Sequence, residues 1–185
     1  DLAATSDLTA VAYLVVQDGT YYFKTHYYLP ESALKDKADK ELYKYWKQQG
    51  YLTVTSGNVT DYDYITTDML RYADVVNIQS VGYDKYNATQ WAIDSTEQGL
   101  PLEEYPQTLG NFNMPTRELE RLILSGKAVI DNNEINRYCF RNVTLKSDYN
   151  GNVKPNKAVD KKKIDGTIAM IQALGMYLRN PRFSN

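Results

Sequence analysis

The 185-residue sequence predicts a single α/β domain built on a mixed sheet. Three observations carry this expectation. Two strand-like runs, Leu8 to Val16 and Thr20 to Leu29, flank Asp18-Gly19, a two-residue hairpin signal. Short apolar runs then alternate with helical periodicity through the middle of the chain. Last comes KKKIDGTIAMIQALG, Lys161 to Gly175, where Ile164, Ile168, Ile171, Gly175 and Leu178 recur at helical spacing.

The elements follow in order. After the hairpin, Pro30-Glu31 opens a helical region, and Asp39 to Gln49 carries Leu42, Tyr45 and Trp46 on one face, with Gly50 as its stop. Tyr51 to Thr55 reads as a strand, followed by a Ser56-Gly57-Asn58 turn and a loop holding Asp61 and Asp63. A helix is expected from Ile65 to Gln79, with Met69, Leu70, Ala73, Val76 and Asn77 inward. Ser80 to Asp84 reads as a short buried strand ending in an acid. Asn87 and Gln90 make a capping-box variant for a helix over 88–98 that Gly99 ends.

Leu102 to Tyr105 is a further strand, and a helix starts at Pro115, with Leu119, Leu122, Ile123 and Leu124 apolar. Gly126-Lys127 is not a phosphate-binding loop: Arg121 stands where that motif has its first glycine, and Ala128 follows instead of Ser or Thr. Val129-Ile130 is a short strand, and Asn132 and Asn133 cap a helix over Glu134 to Asn142. VTLKSD and NVKP flank Asn150-Gly151, a second hairpin signal. The final helix stops at Pro181.

Composition narrows the chemistry. The chain is 43% hydrophobic and 24% charged, ordinary for a globular protein, with 17 tyrosines against 4 phenylalanines. No apolar run approaches the ~20 residues of a membrane span, and no signal-peptide pattern is present. One cysteine, Cys139, excludes an internal disulfide and fits a reducing cytoplasm; it reads as a small buried residue. One histidine, His26, reads as a strand surface residue and excludes a histidine-rich metal site. A bound metal would therefore take oxygen ligands, which suits Mg²⁺ or Mn²⁺.

Two acids stand out. Asp84 ends a strand ahead of a loop and a helix, the layout that sets a carboxylate at the functional edge of an α/β sheet; a plain turn former has the same pattern. Asp165 opens the last helix, beside its apolar stripe; it is either an ordinary helix-start acid or a metal ligand on a rigid mount. Net charge is −2, yet Lys154, Lys157, Lys161, Lys162 and Lys163 crowd just ahead of Asp165, with Arg137, Arg141 and Lys146 upstream. Such a run is commonly a solvated face; next to Asp165 it also suits phosphate contacts.

DLAATSDLTAVAYL, VGYDKYNATQ, the Asn-rich helix, the polar hairpin and KIDGTIAMIQALG, in that order, resemble the nuclease domain of tailed-phage terminase large subunits, in the branch with HK97-like packaging machinery. The resemblance covers nearly the whole chain. It implies an RNase H-like fold, a mixed central sheet flanked by helices. It implies three metal-binding acids, one ending the first strand, one ending a central strand and one opening the last helix. These fall on Asp1, Asp84 and Asp165, with Asp7 as a backup ligand. Two Mg²⁺ or Mn²⁺ ions, double-stranded DNA as substrate, and an ATPase domain, small terminase subunit and portal as partners are implied too, at work in the cytoplasm of a bacterial host. The lysines at 154, 157 and 161–163 become phosphate contacts without sequence readout. The family's first strand and preceding ATPase domain have no counterpart here, so Asp1 is expected to be weakly held. Two other readings remain: a non-catalytic DNA-clamp or motor-docking module, and another RNase H-like nuclease such as a resolvase or transposase core.

Overall fold

The computed structural model describes residues 2–3, 8–35, 39–86, 88–159 and 162–180. Eight strands and six helices are formed among them. The strands are β1 (Thr9–Gln17), β2 (Thr20–Pro30), β3 (Thr53–Thr55), β4 (Val81–Tyr83), β5 (Leu102–Glu104), β6 (Ala128–Ile130), β7 (Val143–Ser147) and β8 (Val153–Lys157). The helices are α1 (Lys40–Gln48), α2 (Tyr62–Ala73), α3 (Thr89–Glu97), α4 (Leu109–Leu124), α5 (Glu134–Arg141) and α6 (Asp165–Arg179), with a 3₁₀ turn over Glu31–Lys35.

β2 is the spine. Its residues Thr20–Tyr28 pair antiparallel with β1, from Gln17 opposite Thr20 to Thr9 opposite Tyr28. On its other edge it takes β6 beside Tyr21–Phe23 and β3 beside Tyr28–Pro30, both parallel. Asp18 and Gly19 both have positive φ, 51° and 73°. That is the backbone of the mirror-image turn whose twist matches the strands it joins. β4 and β5 form a parallel pair, and β7 and β8 an antiparallel one. The result is the expected mixed central sheet flanked by helices.

Strand alternation sorts the core. Phe23, Tyr27 and Leu29 of β2, with Ala10 of β1, face α1, α4, α5 and α6. Tyr28 and Val11 face the opposite way, onto Ile65 and Met69 of α2 and Trp91 and Ala92 of α3. α6 is buried around most of its circumference, from Asp165 through Met176, because the sheet lies on one side and α4 and α5 on others. Its stripe is therefore wider than the sequence spacing predicts. Gly166 and Gly175 allow the closest approaches: a Cβ at either would run into the hydroxyl of Tyr27 or Tyr105 respectively.

Several expectations are corrected. In α1 the buried residues are Tyr43 and Trp46, while Tyr45 faces out. Trp46 packs edge-on against Tyr138 of α5, centroids 5.0 Å apart, and against Tyr43 at 5.8 Å. α2 starts earlier than predicted, because the Asp61 carboxylate accepts from the Tyr64 N–H, and ends at Ala73. Its inner residues are Ile65, Thr66 and Met69, whereas Ala73, Val76 and Asn77 are exposed. The expected capping box falls on Asn87, which lies outside the described residues; Gln90 donates from Nε2 to Asp94 at 2.7 Å.

α4 begins six residues before Pro115, with Thr108 as its N-cap accepting from Asn111. The second hairpin closes through a five-residue loop rather than a two-residue turn, since Ser147 pairs with Val153. The Asp148 carboxylate accepts from the N–H of Asn150, the N–H of Asn152 and the Asn152 side chain; these bonds organise the longer loop and hold that carboxyl below its usual range.

Candidate metal and nucleic-acid site

Asp84 directly follows β4, so its carboxylate leaves the sheet edge at a fixed point. Both oxygens are held by backbone donors: Oδ1 accepts from Tyr86 N at 3.1 Å and Oδ2 from Gln107 N at 3.2 Å. The Gln107 donor belongs to the link between β5 and α4, which brings a second part of the chain onto the acid.

Asp84 lines a cleft of about 530 Å³. One wall is β1, from Ala10 to Val16, and another is β4. Among the described residues β1 pairs only with β2, and β4 only with β5, so each offers the cleft an unpaired edge. β1 carries no charge from Leu8 to Gln17, which leaves this edge without the charged residues that usually block added strands. A third wall is α6, through Ala169, Gln172, Ala173 and Met176. Gln172 is buried, and its amide donates to the Tyr105 carbonyl at 3.2 Å.

Asp165 opens α6 and is buried, at 9% exposure. Helical spacing puts it on the stripe of Ala169, Gln172 and Met176, one turn before the cleft wall. The first turn of α6 is held from behind: Tyr27 abuts Gly166 and donates to Asn136 Oδ1 at 2.5 Å, while Thr25 donates to the same atom at 2.7 Å. Cys139 of α5 also packs there; burial pushes its thiol up to about 12.

Asp1, Asp7 and Lys161 lie outside the described residues. Among the described residues no group of three or more His, Cys, Asp or Glu side chains is arranged to hold a metal. Of the lysines, Lys154 donates from Nζ to the Gln107 carbonyl and lies 5.8 Å from the Phe112 ring centre. Lys162 lies 5.7 Å from the Tyr138 ring centre. Lys157 ends β8 opposite Val143, and the Lys163 carbonyl accepts from Asn142 at 3.4 Å. His26, expected on the surface, is half-buried and shares a 2.9 Å hydrogen bond with the Tyr72 hydroxyl. Sequence reasoning missed Tyr86, Gln107 and Gln172. The first two act through backbone N–H groups, which every residue except proline has, so no residue pattern marks them.

Comparisons with known proteins bear on the family and the fold. The large terminase subunit of Enterobacteria phage HK97 is 28% identical over 180 residues, covering 95% of this chain and 36% of that protein. Protein YmfN of Escherichia coli K12 is 32% identical over 193 residues, covering 95% of this chain and 41% of that protein. The chain thus spans well under half the length of these relatives. The crystal structure of the HK97 large terminase superposes with a TM-score of 0.85 at 28% identity, covering 95% of this chain and 38% of that one. The large terminase nuclease of thermophilic phage G20c superposes with a TM-score of 0.60 at 11% identity, over 97% of this chain and 80% of that one, a likeness of fold. With the sequence profile of the terminase large subunit endonuclease domain matching residues 1–180, and with an RNase H-like sheet, the chain belongs to that family.

Proposed function

We propose that this domain is a divalent-metal-dependent endonuclease that cuts concatemeric double-stranded viral DNA during genome packaging. Asp1, Asp84 and Asp165 hold two Mg²⁺ or Mn²⁺ ions. The observation that carries the reading is the seating of the two acids: Asp84 follows β4 with both oxygens on backbone N–H groups, and Asp165 opens the packed helix α6.

The donor chemistry fits a hard cation. Asp84 and Asp165 supply carboxylate oxygens, the Cys139 thiol stays protonated, and His26 is engaged with Tyr72. When bound, the ions supply an activated water and stabilise the leaving oxygen. The residues supply the rest. Backbone N–H groups of Tyr86 and Gln107 fix the Asp84 carboxylate, and the packed first turn of α6 fixes Asp165. Lys157, Lys161, Lys162 and Lys163 attract phosphates by charge and read no sequence.

Timing and site choice fall to an ATPase domain, a small terminase subunit and a portal, in the cytoplasm of a bacterial host. No helix among the described residues is long and apolar enough to cross a membrane.

The test is cleavage of supercoiled plasmid with Mn²⁺ or Mg²⁺, by this chain and by a polypeptide extended ahead of Asp1. Metal-dependent nicking is expected, falling to background in Asp84→Asn and Asp165→Asn with DNA binding retained. Undiminished cutting by either variant overturns the assignment. DNA binding with no cutting under either metal favours the clamp or docking module.

A further inference from the structure

We infer that Lys154 is a positioning residue for Asp84, tying the β8 strand to the Gln107 loop that holds that carboxylate. The inference rests on the reading of Asp84 as a metal ligand.

The connections are direct. Gln107 N–H donates to Asp84 Oδ2 at 3.2 Å, and the Gln107 carbonyl accepts from Lys154 Nζ at 2.5 Å. One residue is thus gripped from both sides, by the acid through its amide and by the ammonium through its carbonyl. The ammonium also lies 5.8 Å from the centre of the Phe112 ring, a side chain buried in α4. A charge-assisted bond beside an aromatic face is stronger and shorter than a neutral one.

The platform under Lys154 is rigid. Val153 and Pro155, its neighbours in β8, are both buried, and Val153 N–H donates to Asn113 Oδ1 of α4 at 2.9 Å. The loop on the other side is pinned as well: Asn111 Nδ2 and Thr108 N both donate to the Pro106 carbonyl at 2.8 Å. Lys154 joins these two pinned segments at the point where the loop meets Asp84. One of the three donors of the Lys154 ammonium is thus committed to a backbone carbonyl, a structural tie that its place in the lysine-rich sequence does not show.

The chain is compared as wild type, Lys154→Met, Lys154→Arg and Arg117→Met. The methionine keeps an apolar stem on Phe112 and removes the ammonium. Arg117 tethers the same hairpin at its loop, through the Gly151 carbonyl, so it controls for loose docking of the hairpin. Three quantities are read: amide hydrogen exchange at Gln107, Mn²⁺ affinity by calorimetry, and the salt dependence of duplex binding.

Lys154→Met is expected to speed exchange at Gln107 about tenfold and to weaken Mn²⁺ binding about tenfold, with an unchanged salt slope. Lys154→Arg recovers most of both, and Arg117→Met moves neither. Wild-type exchange at Gln107 in Lys154→Met overturns the inference. So does an unchanged Mn²⁺ affinity with a salt slope shallower by about 0.9, the signature of one lost phosphate contact. If the wild-type chain binds no Mn²⁺, the metal reading fails. Exchange at Gln107 then still decides whether Lys154 holds the loop.

Discussion

The Tyr105 hydroxyl donates to the Asn111 carbonyl at 2.6 Å, within the first turns of α4. That carbonyl is the one an amide at position 115 would bond, and Pro115 has none. A side chain from the end of β5 therefore fills the gap that the proline leaves. Tyr105→Phe leaves the carbonyl short of its partner at a cost of about 1–3 kcal/mol. Tyr105→Phe combined with Pro115→Ala recovers most of that loss, because the alanine amide takes over the carbonyl. Urea unfolding of the four proteins in the double-mutant cycle checks this. A coupling energy near zero would show that the two residues act independently.

The same contact explains what the sequence hides. Pro115 resembles a helix start, since proline is favoured in the first turn. Its tolerance inside α4 depends on Tyr105, a tertiary partner that no local pattern reveals. Two local signals hold: Asp18-Gly19 makes its turn, and Asn133 caps α5 through Ile135 N at 2.9 Å, whereas Asn150-Gly151 is drawn into the longer loop that Asp148 organises. Where the outcome depends on distant packing the reading does not hold. α2 ends at Ala73, and Val76 is left exposed. The candidate site divides the same way. The placement of Asp84 after a strand and of Asp165 at a helix start is legible because strand ends and helix starts have residue signatures. The amides that orient Asp84, and the cleft between two unpaired strand edges, arise only in three dimensions.

Gly166 is the narrowest point behind the candidate site. A Cβ there would overlap the Tyr27 hydroxyl, which is itself held by Asn136. Gly166→Ala is expected to cost about 1–3 kcal/mol through overpacking. Tyr27→Phe in the same chain should relieve part of that cost, because it removes the atom nearest the new methyl group. Thermal unfolding of both single variants and the pair gives the comparison. A double variant no more stable than the additive expectation would place the strain elsewhere.

His26 gives the stability a pH dependence. Burial lowers its pKa below the usual 6.5, with Lys24 acting in the same direction and Asp68 and Asp131 opposing. The folded state therefore binds fewer protons than the unfolded state as pH falls below that value. The sign follows: His26 contributes a loss of stability that begins near pH 6.5 and is complete below its folded pKa. His26→Gln keeps a polar group near Tyr72 and removes the titration. Denaturant unfolding between about pH 7.5 and 5 should show a shallower decline for the variant than for wild type. Parallel declines would mean that carboxylates alone set the slope.

Cys139 reports on the mount of Asp165. Its thiol is fully buried against the first turn of α6, and burial pushes it up to about 12. Only the thiolate is alkylated readily, and a free cysteine ionises near pH 8.5. The native chain should thus react with iodoacetamide at pH 8 far more slowly than the urea-unfolded chain, and only through opening of the α5–α6 contact. Gly166→Ala strains that contact and should raise the native rate in proportion to its loss of stability. Mass spectrometry of the alkylated protein follows both. Native labelling as fast as in urea would mean that α6 does not hold Cys139 shut, and Asp165 would then lack the rigid mount a metal ligand needs.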